Sequence, residues 1–158
     1  VSIDIGCTYK GFVADMAVTV GVGNVSPEAQ RLIDVTKEAL WCGIRAARGG
    51  SRVGDIGHAI QTYVESQGLS IVREYVGHGV GRQMHEDPQI PNFGNPGTGT
   101  ALRPGMVIAI EPMVNIGDWR TKKDSDAWTV RTLDGSLSAH FEHTMAITEG
   151  EAEVLTLP

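Results

Sequence analysis

Apolar and polar residues alternate from the first position, with Val1, Ile3 and Ile5 set against Ser2, Asp4 and Gly6. That is the period of a half-buried strand. Cys7 to Gly11 reads as a turn, with Gly11 free to take positive φ. Phe12 to Val20 follows as a second strand rich in β-branched residues, and the short link predicts a hairpin. Ser26-Pro27-Glu28 marks a helix start: the serine hydroxyl can cap, and proline loses no needed donor at the first helical position. Leu32, Ile33, Thr36, Ala39, Leu40 and Ala47 recur at helical spacing until Gly49-Gly50 ends the run. A second helix begins near Val53-Gly54-Asp55, where Asp55 can cap. Ile56, Ala59, Ile60, Tyr63 and Val64 form its apolar stripe, and Gly68 closes it.

From Ser70 the pattern returns to strand, through Ile71, Val72 and Tyr75. Residues 77–105, rich in proline and glycine, predict a large ordered loop, and a loop that long inside a compact domain is usually functional. Met106 to Val114, Trp128 to Thr132, Ser138 to Thr148 and Glu153 to Leu157 read as strands, with Asp134-Gly135 and Glu149-Gly150 as turns. Two strands, two helices and a run of strands predict one α+β domain over residues 1–158, with an antiparallel or mixed sheet and helices on one face. The chain opens inside a strand pattern, without a methionine, a polar lead-in or a cap. A further segment ahead of Val1 is therefore expected.

Charge narrows the function classes. Thirteen basic and 19 acidic residues leave a net charge of −6, without the basic stripe of a nucleic-acid surface. No apolar run approaches a membrane span, and no signal-peptide pattern is present. Cys7 and Cys42 form no disulfide framework and are expected as buried free thiols. The cytoplasm is then the expected location.

The informative positions are acids inside apolar strands. Asp4 interrupts Ile3 and Ile5, Asp15 interrupts Ala14 and Met16, Glu111 follows Val107 to Ile110, and Glu142 lies within Phe141 to Ile147. A single such acid is most simply an edge residue facing water. Four in one small domain favour a shared cation, because burying unpaired carboxylates is costly. Neighbouring strands lie about 4.8 Å apart, and the metals of a hydrolytic pair about 3.5–4 Å apart, so carboxylates on paired strands can reach both. His78 stands between glycines in Gly77-His78-Gly79-Val80-Gly81, which lets the backbone approach closely and present the imidazole. Mostly oxygen ligands with one imidazole suit Mn, Fe, Co or Zn rather than a thiolate-bound structural zinc. His58, His140 and His143 are expected to be plain helix, solvent-facing and packed histidines respectively. The charged stretch holding Asp118, Lys122, Lys123, Asp124 and Asp126 is expected to be simply solvated.

Six motifs occur in order: Ile3-Asp4-Ile5-Gly6 with Asp15 beyond it, Gly77-His78-Gly79-Val80-Gly81, Met84-His85-Glu86, Ile110-Glu111-Pro112-Met113, Trp128-Thr129-Val130 and Phe141-Glu142-His143-Thr144. On them the chain resembles the methionine aminopeptidases over essentially its whole length. It resembles type 1 more than type 2, since the interval from His78 to Glu111 leaves no room for the type 2 insertion. The acid and histidine pattern is shared with proline dipeptidases and aminopeptidase P. The resemblance implies a pita-bread fold, α+β with a curved mixed or antiparallel sheet and helices on its outer face. It also implies that part of the fold and of the methionine pocket precedes Val1, so the chain alone is expected to be impaired in activity or stability.

The resemblance further implies two divalent metal ions (Co2+, Mn2+, Fe2+ or Zn2+). Asp4 would chelate one, Asp15 and Glu142 would bridge both, and His78 and Glu111 would complete the second site. Glu111 and His85 are the implied catalytic residues, His85 binding the substrate carbonyl or the developing oxyanion. Trp128 and Met84 are the implied lining of the methionine pocket, Met84 standing where the bacterial enzymes usually carry an aromatic. The implied substrate is the N-terminal methionine of peptides and nascent polypeptides, cut by metal-activated water. A monomer with transient ribosome association, and no nucleic-acid or membrane partner, is implied as well. Two alternatives stay open, an Xaa-Pro dipeptidase or aminopeptidase P-like hydrolase, and a pita-bread binding module without catalysis.

Overall fold

A computed structural model describes residues 1–157 of the chain. Strands β1 (Ser2–Tyr9) and β2 (Phe12–Thr19) form the expected antiparallel hairpin. Its turn is shorter than the polar pattern suggests. Pairing continues to Tyr9 and Phe12, leaving only Lys10 and Gly11, with φ of 50° and 78°. Two left-handed residues match the natural twist of a hairpin. Cys7 therefore lies in a strand and is exposed, while Cys42 is half-buried. The expectation of buried thiols is corrected, because β1 is an edge strand exposed along its whole length.

Helices α1 (Pro27–Ala46) and α2 (Val53–Ser66) come next. The Ser26 hydroxyl accepts from Ala29 N at 3.1 Å, as its position before Pro27 predicts. Asp55 works from inside the first turn of α2, accepting from Arg52 N and from Gly97 N, both at 2.7 Å. It thereby ties the 91–100 segment to the helix start, and its negative charge suits the helix N-terminus.

The remaining strands are β3 (Ser70–Ile71), β4 (Gly77–Gly79), β5 (Glu86–Ile90), β6 (Val107–Ile110), β7 (Met113–Asn115), β8 (Thr121–Lys123), β9 (Val130–Thr132), β10 (Ser138–His140), β11 (Glu142–Ala146) and β12 (Glu153–Val154). The main sheet runs β1-β2-β11-β6-β4-β5, with β12 paired to β11. A second sheet runs β10-β7-β3, and β8 pairs β9. Every pairing among the described strands is antiparallel.

Three expectations change here. The 77–105 segment is not one loop, since it contains β4 and β5. A side chain at Gly77 would strike Ala109 O and one at Gly79 would strike Asp87 O. The glycines that obscure a strand pattern are thus what lets β4 fit between its neighbours. Pro88 is tolerated because β5 is an edge strand. The Met106–Val114 strand is split at Glu111-Pro112, and the Ser138–Thr148 strand at Phe141. Each half joins a different sheet, so Glu111 and Glu142 both sit where the chain crosses between sheets.

The helices pack on one face of the main sheet, burying Leu40, Ile44, Ile56 and Ile60 with Ile108, Ile110, Met145 and Ile147. Fully burying such a side chain is worth about 1.5–3 kcal/mol. A one-residue slip would turn these residues outward, so the core specifies the register. No helix among the described residues is long and apolar enough to cross a membrane.

Candidate metal centre

Strand alternation decides what stands on the face opposite the helices. Gly6 pairs with Asp15, Asp4 and Glu142 both pair with Ala17, Thr144 pairs with Ala109, and Ala109 pairs with His78. Directly paired residues, and residues two apart, share a face. Asp4, Asp15, His78 and Glu142, from four different strands, therefore emerge on one side. Glu111 joins them at the end of β6. One ligand atom from each of Asp15, His78 and Glu142 lies within 4.8 Å of the others. His78 Nε2 is 3.6 Å from Glu111 Oε1 and 4.0 Å from Glu142 Oε1.

Burial is uneven in this cluster. Glu142 is 2 % exposed and Asp15 8 %, but Asp4 is exposed on its edge strand. The expectation that an acid among isoleucines is buried fails for Asp4, because β1 is the exposed edge strand of the sheet. The deep positions are tightly set. Thr144 accepts from Asp15 N at 2.9 Å and donates to Asp15 O at 2.8 Å. The fully buried Asn92 donates to Glu111 O at 3.0 Å.

The carboxylates repel and are poorly solvated. Burial first, then the charges of Asp4 and Asp15, raises Glu111 to about 8. Burial, with Glu111, Asp15 and Asp4, raises Glu142 to about 9. Asp15 is raised too, by burial and then by Asp4. Asp15 Oδ1 and Glu142 Oε1 are buried without a hydrogen-bond partner. Buried acceptors are normally satisfied, and a divalent cation would satisfy both and relieve the repulsion. On chemistry and on these orphaned atoms, the residues fit a metal ion.

A sign for pH dependence follows. In the metal-free chain Glu111 and Glu142 bind protons on folding, since their values stand above the ordinary 4.5. Their contribution to stability is fully present below about pH 4.5 and is lost as pH rises through 8 to 9. The thermal midpoint of the metal-free chain is expected to fall steadily between about pH 6 and pH 9. A midpoint that holds or climbs across this window, in scanning calorimetry, contradicts the charge clustering.

Around the cluster, His85 is exposed, its ring 4.4 Å from that of His78 between centroids. Both line a cavity of about 330 Å³ with Glu86, Asp87 and Gln89. The Met84 methyl occupies the space over Gly6 that a β-carbon there would fill, beside Asp15. Trp128 stands apart, 86 % exposed in the turn between β8 and β9. Nothing in the described structure covers its ring. The charged stretch is more ordered than expected: Asp126 accepts from Trp128 N and Thr129 N, and Arg131 pairs with Asp124 at 2.6 Å. His58 is exposed on α2, and His143 packs against Trp41 and hydrogen-bonds Thr156 Oγ1 at 2.7 Å.

His140 is the main correction. It was expected to face solvent, yet its side chain is 16 % exposed and its Nε2 lies 3.7 Å from Glu111 Oε2. Burial lowers its pKa. Its spacing of two from Glu142 was the available signal. Asn92 had none, because its role depends on where a distant loop returns.

Residues 1–149 match the profile described as Metallopeptidase family M24. Methionine aminopeptidase 1 of Bacillus subtilis is 54% identical over 156 residues, which is 99% of this chain and 63% of that protein. The methionine aminopeptidase structure from Thermotoga maritima superposes with a TM-score of 0.97 at 54% identity, covering 99% of this chain and 63% of that one. The prolidase from Pyrococcus furiosus superposes with a TM-score of 0.75 at 25% identity, covering 99% and 41%. The chain thus spans about 63% of the length of such curated relatives.

Proposed function

This chain belongs to metallopeptidase family M24 and has its pita-bread fold, and from that premise we propose that it removes the N-terminal methionine of peptides and nascent polypeptides. The family implies divalent metal use. The observation that carries the reading is the buried Asp15, His78 and Glu142 cluster with two orphaned carboxylate oxygens. Asp4, Asp15, His78, Glu111 and Glu142 would hold two ions, drawn from Co2+, Mn2+, Fe2+ or Zn2+. Such ions supply Lewis acidity and water activation near neutral pH.

The chain's own groups do the rest. Asp15 and Glu142, on paired strands, hold their carboxylates at a fixed separation, and Thr144 locks the β2–β11 crossing between them. Glu111, at the end of β6, adds a carboxylate 3.6 Å from His78 Nε2 and is proposed as the second catalytic residue. His85, beside His78 and facing the cavity, is placed to donate to a carbonyl oxygen as negative charge develops. Met84 offers an adaptable apolar wall next to Asp15. Trp128, exposed on the β8–β9 turn, would line the methionine pocket.

Identity of 54% to methionine aminopeptidases, against 25% to a prolidase, favours methionine over Xaa-Pro substrates. With this activity we also propose a cytoplasmic monomer with transient ribosome contact. The test is release of methionine from a Met-Ala-Ser peptide by protein loaded with Mn2+ or Co2+. We expect metal-dependent release, abolished by chelator, and no comparable cleavage of Xaa-Pro dipeptides. Cleavage of Xaa-Pro dipeptides alone, or release indifferent to chelator, contradicts the proposal.

A further inference from the structure

The histidine beside the cluster has no role in the proposed ligand set, yet it is built into place. His140 ends β10, one residue before the chain crosses into β11. Its main chain is held at both polar groups by one hydroxyl: His140 N donates to Thr19 Oγ1 at 2.9 Å, and Thr19 Oγ1 donates to His140 O at 2.8 Å. Ser2 Oγ shares that hydroxyl at 2.7 Å. The backbone of His140 is thus clamped to β2, and its imidazole points inward.

Its Nε2 is buried and without a hydrogen-bond partner. Among the described residues, the carboxylate within 4.0 Å of it is that of Glu111, whose Oε2 lies at 3.7 Å. The other oxygen of the same carboxylate, Oε1, faces His78 Nε2 at 3.6 Å. The two histidines therefore address opposite oxygens of one glutamate. Once Glu111 is ionised, as a metal ligand is, an unprotonated Nε2 would set its lone pair against a carboxylate oxygen in a buried place, so this nitrogen then carries the hydrogen.

We propose that His140 is a positioning residue that donates its Nε2 hydrogen to Glu111 Oε2 and so turns Oε1 toward His78 and the metal. This rests on the reading of Glu111 and His78 as metal ligands. The 3.7 Å separation would have to close by less than about 1 Å to make this bond. An outer hydrogen bond of this kind orients a ligand, and losing one typically costs about 10–100-fold in metal affinity. The role needs only a donor at that point. A glutamine, whose amide reaches a similar distance, should serve where an apolar residue of like size should not.

The test is Mn2+ binding to the chain by isothermal titration calorimetry, with circular dichroism to confirm folding. His140→Leu is expected to bind Mn2+ about 10–100-fold more weakly, while His140→Gln keeps most of the affinity. In a Glu111→Gln background, His140→Leu should cost nothing further, since its effect runs through that carboxylate. If His140→Leu does not fold, His140→Met, which also lacks a donor, takes its place. Parental affinity in the apolar variant overturns the proposal, as does equal loss in His140→Gln, or an undiminished effect in the Glu111→Gln background. Absence of Mn2+ binding by the parent chain instead removes the underlying metal site, which keeps the two failures apart.

Discussion

Glu142→Gln is expected to abolish metal binding and turnover while making the metal-free chain more stable. Glu142 is 2 % exposed, its Oε1 has no hydrogen-bond partner, and burial with the neighbouring Glu111, Asp15 and Asp4 raises it to about 9. Folding the metal-free chain at neutral pH therefore means either burying a charge against like charges or taking up a proton. Each pH unit between the unfolded and folded values is worth about 1.4 kcal/mol. Glutamine has the same shape and no charge. Its stabilising effect should grow from about pH 5 to pH 9 as the wild-type contribution is lost, and level off above. A gain of a few kcal/mol corresponds to a thermal midpoint higher by on the order of 5–10 °C.

The same substitution removes one carboxylate of the proposed metal site. A metal ion contributes several kcal/mol to the transition state, and a loss of about 4 kcal/mol is roughly 10³-fold in rate. Calorimetric titration with Mn2+, methionine release and a pH series of melting scans read the three effects separately. A variant that still releases methionine with metal dependence, or that melts lower than the parent without metal at about pH 8, would show that Glu142 is structural. A site that costs stability when empty is what the compromise between activity and stability predicts.

His85→Ala should lower kcat by about 10²–10³-fold with metal affinity intact, the effect of removing one donor to a developing oxyanion. The imidazole is exposed beside His78, but the segment that carries it is anchored. Val13 N donates to Gly81 O at 2.9 Å, Arg82 Nη1 donates to Gly11 O at 3.1 Å, and the Arg82 guanidinium lies over Phe12 at 3.9 Å. Glu86 Oε1 accepts from Gln83 N at 2.8 Å on the other side of His85. The donor is thus presented by a fixed turn hung from the β1–β2 hairpin, which is the preorganisation such catalysis requires. Steady-state kinetics on the peptide and a Mn2+ titration distinguish the outcomes. Lost metal affinity would make His85 a ligand, and an unchanged kcat would remove it from the chemistry.

Elements governed by local physics were legible in the chain. The existence of the β1–β2 hairpin, of the Ser26-Pro27 helix start and of the apolar stripe of α2 was readable from the pattern. Elements governed by their neighbours were not. β4 carries glycines because Ala109 O and Asp87 O lie where side chains would go. β6 and β7 read as one strand, since an apolar run interrupted only at Glu111-Pro112 does not say that its halves enter different sheets.

The candidate site divides along the same line. Acids among aliphatic residues, a histidine between glycines, and their order along the chain were enough to nominate Asp4, Asp15, His78, Glu111 and Glu142 together. Side-chain alternation is a property of the strand itself, so a sequence reveals which residues share a face within each strand. Only the tertiary structure decided which strands are neighbours, and with that the separation of Asp15, His78 and Glu142, the exposure of Asp4 and Trp128 and the inward turn of His140. Burial and distance depend on groups far apart in the chain, and no local pattern encodes them.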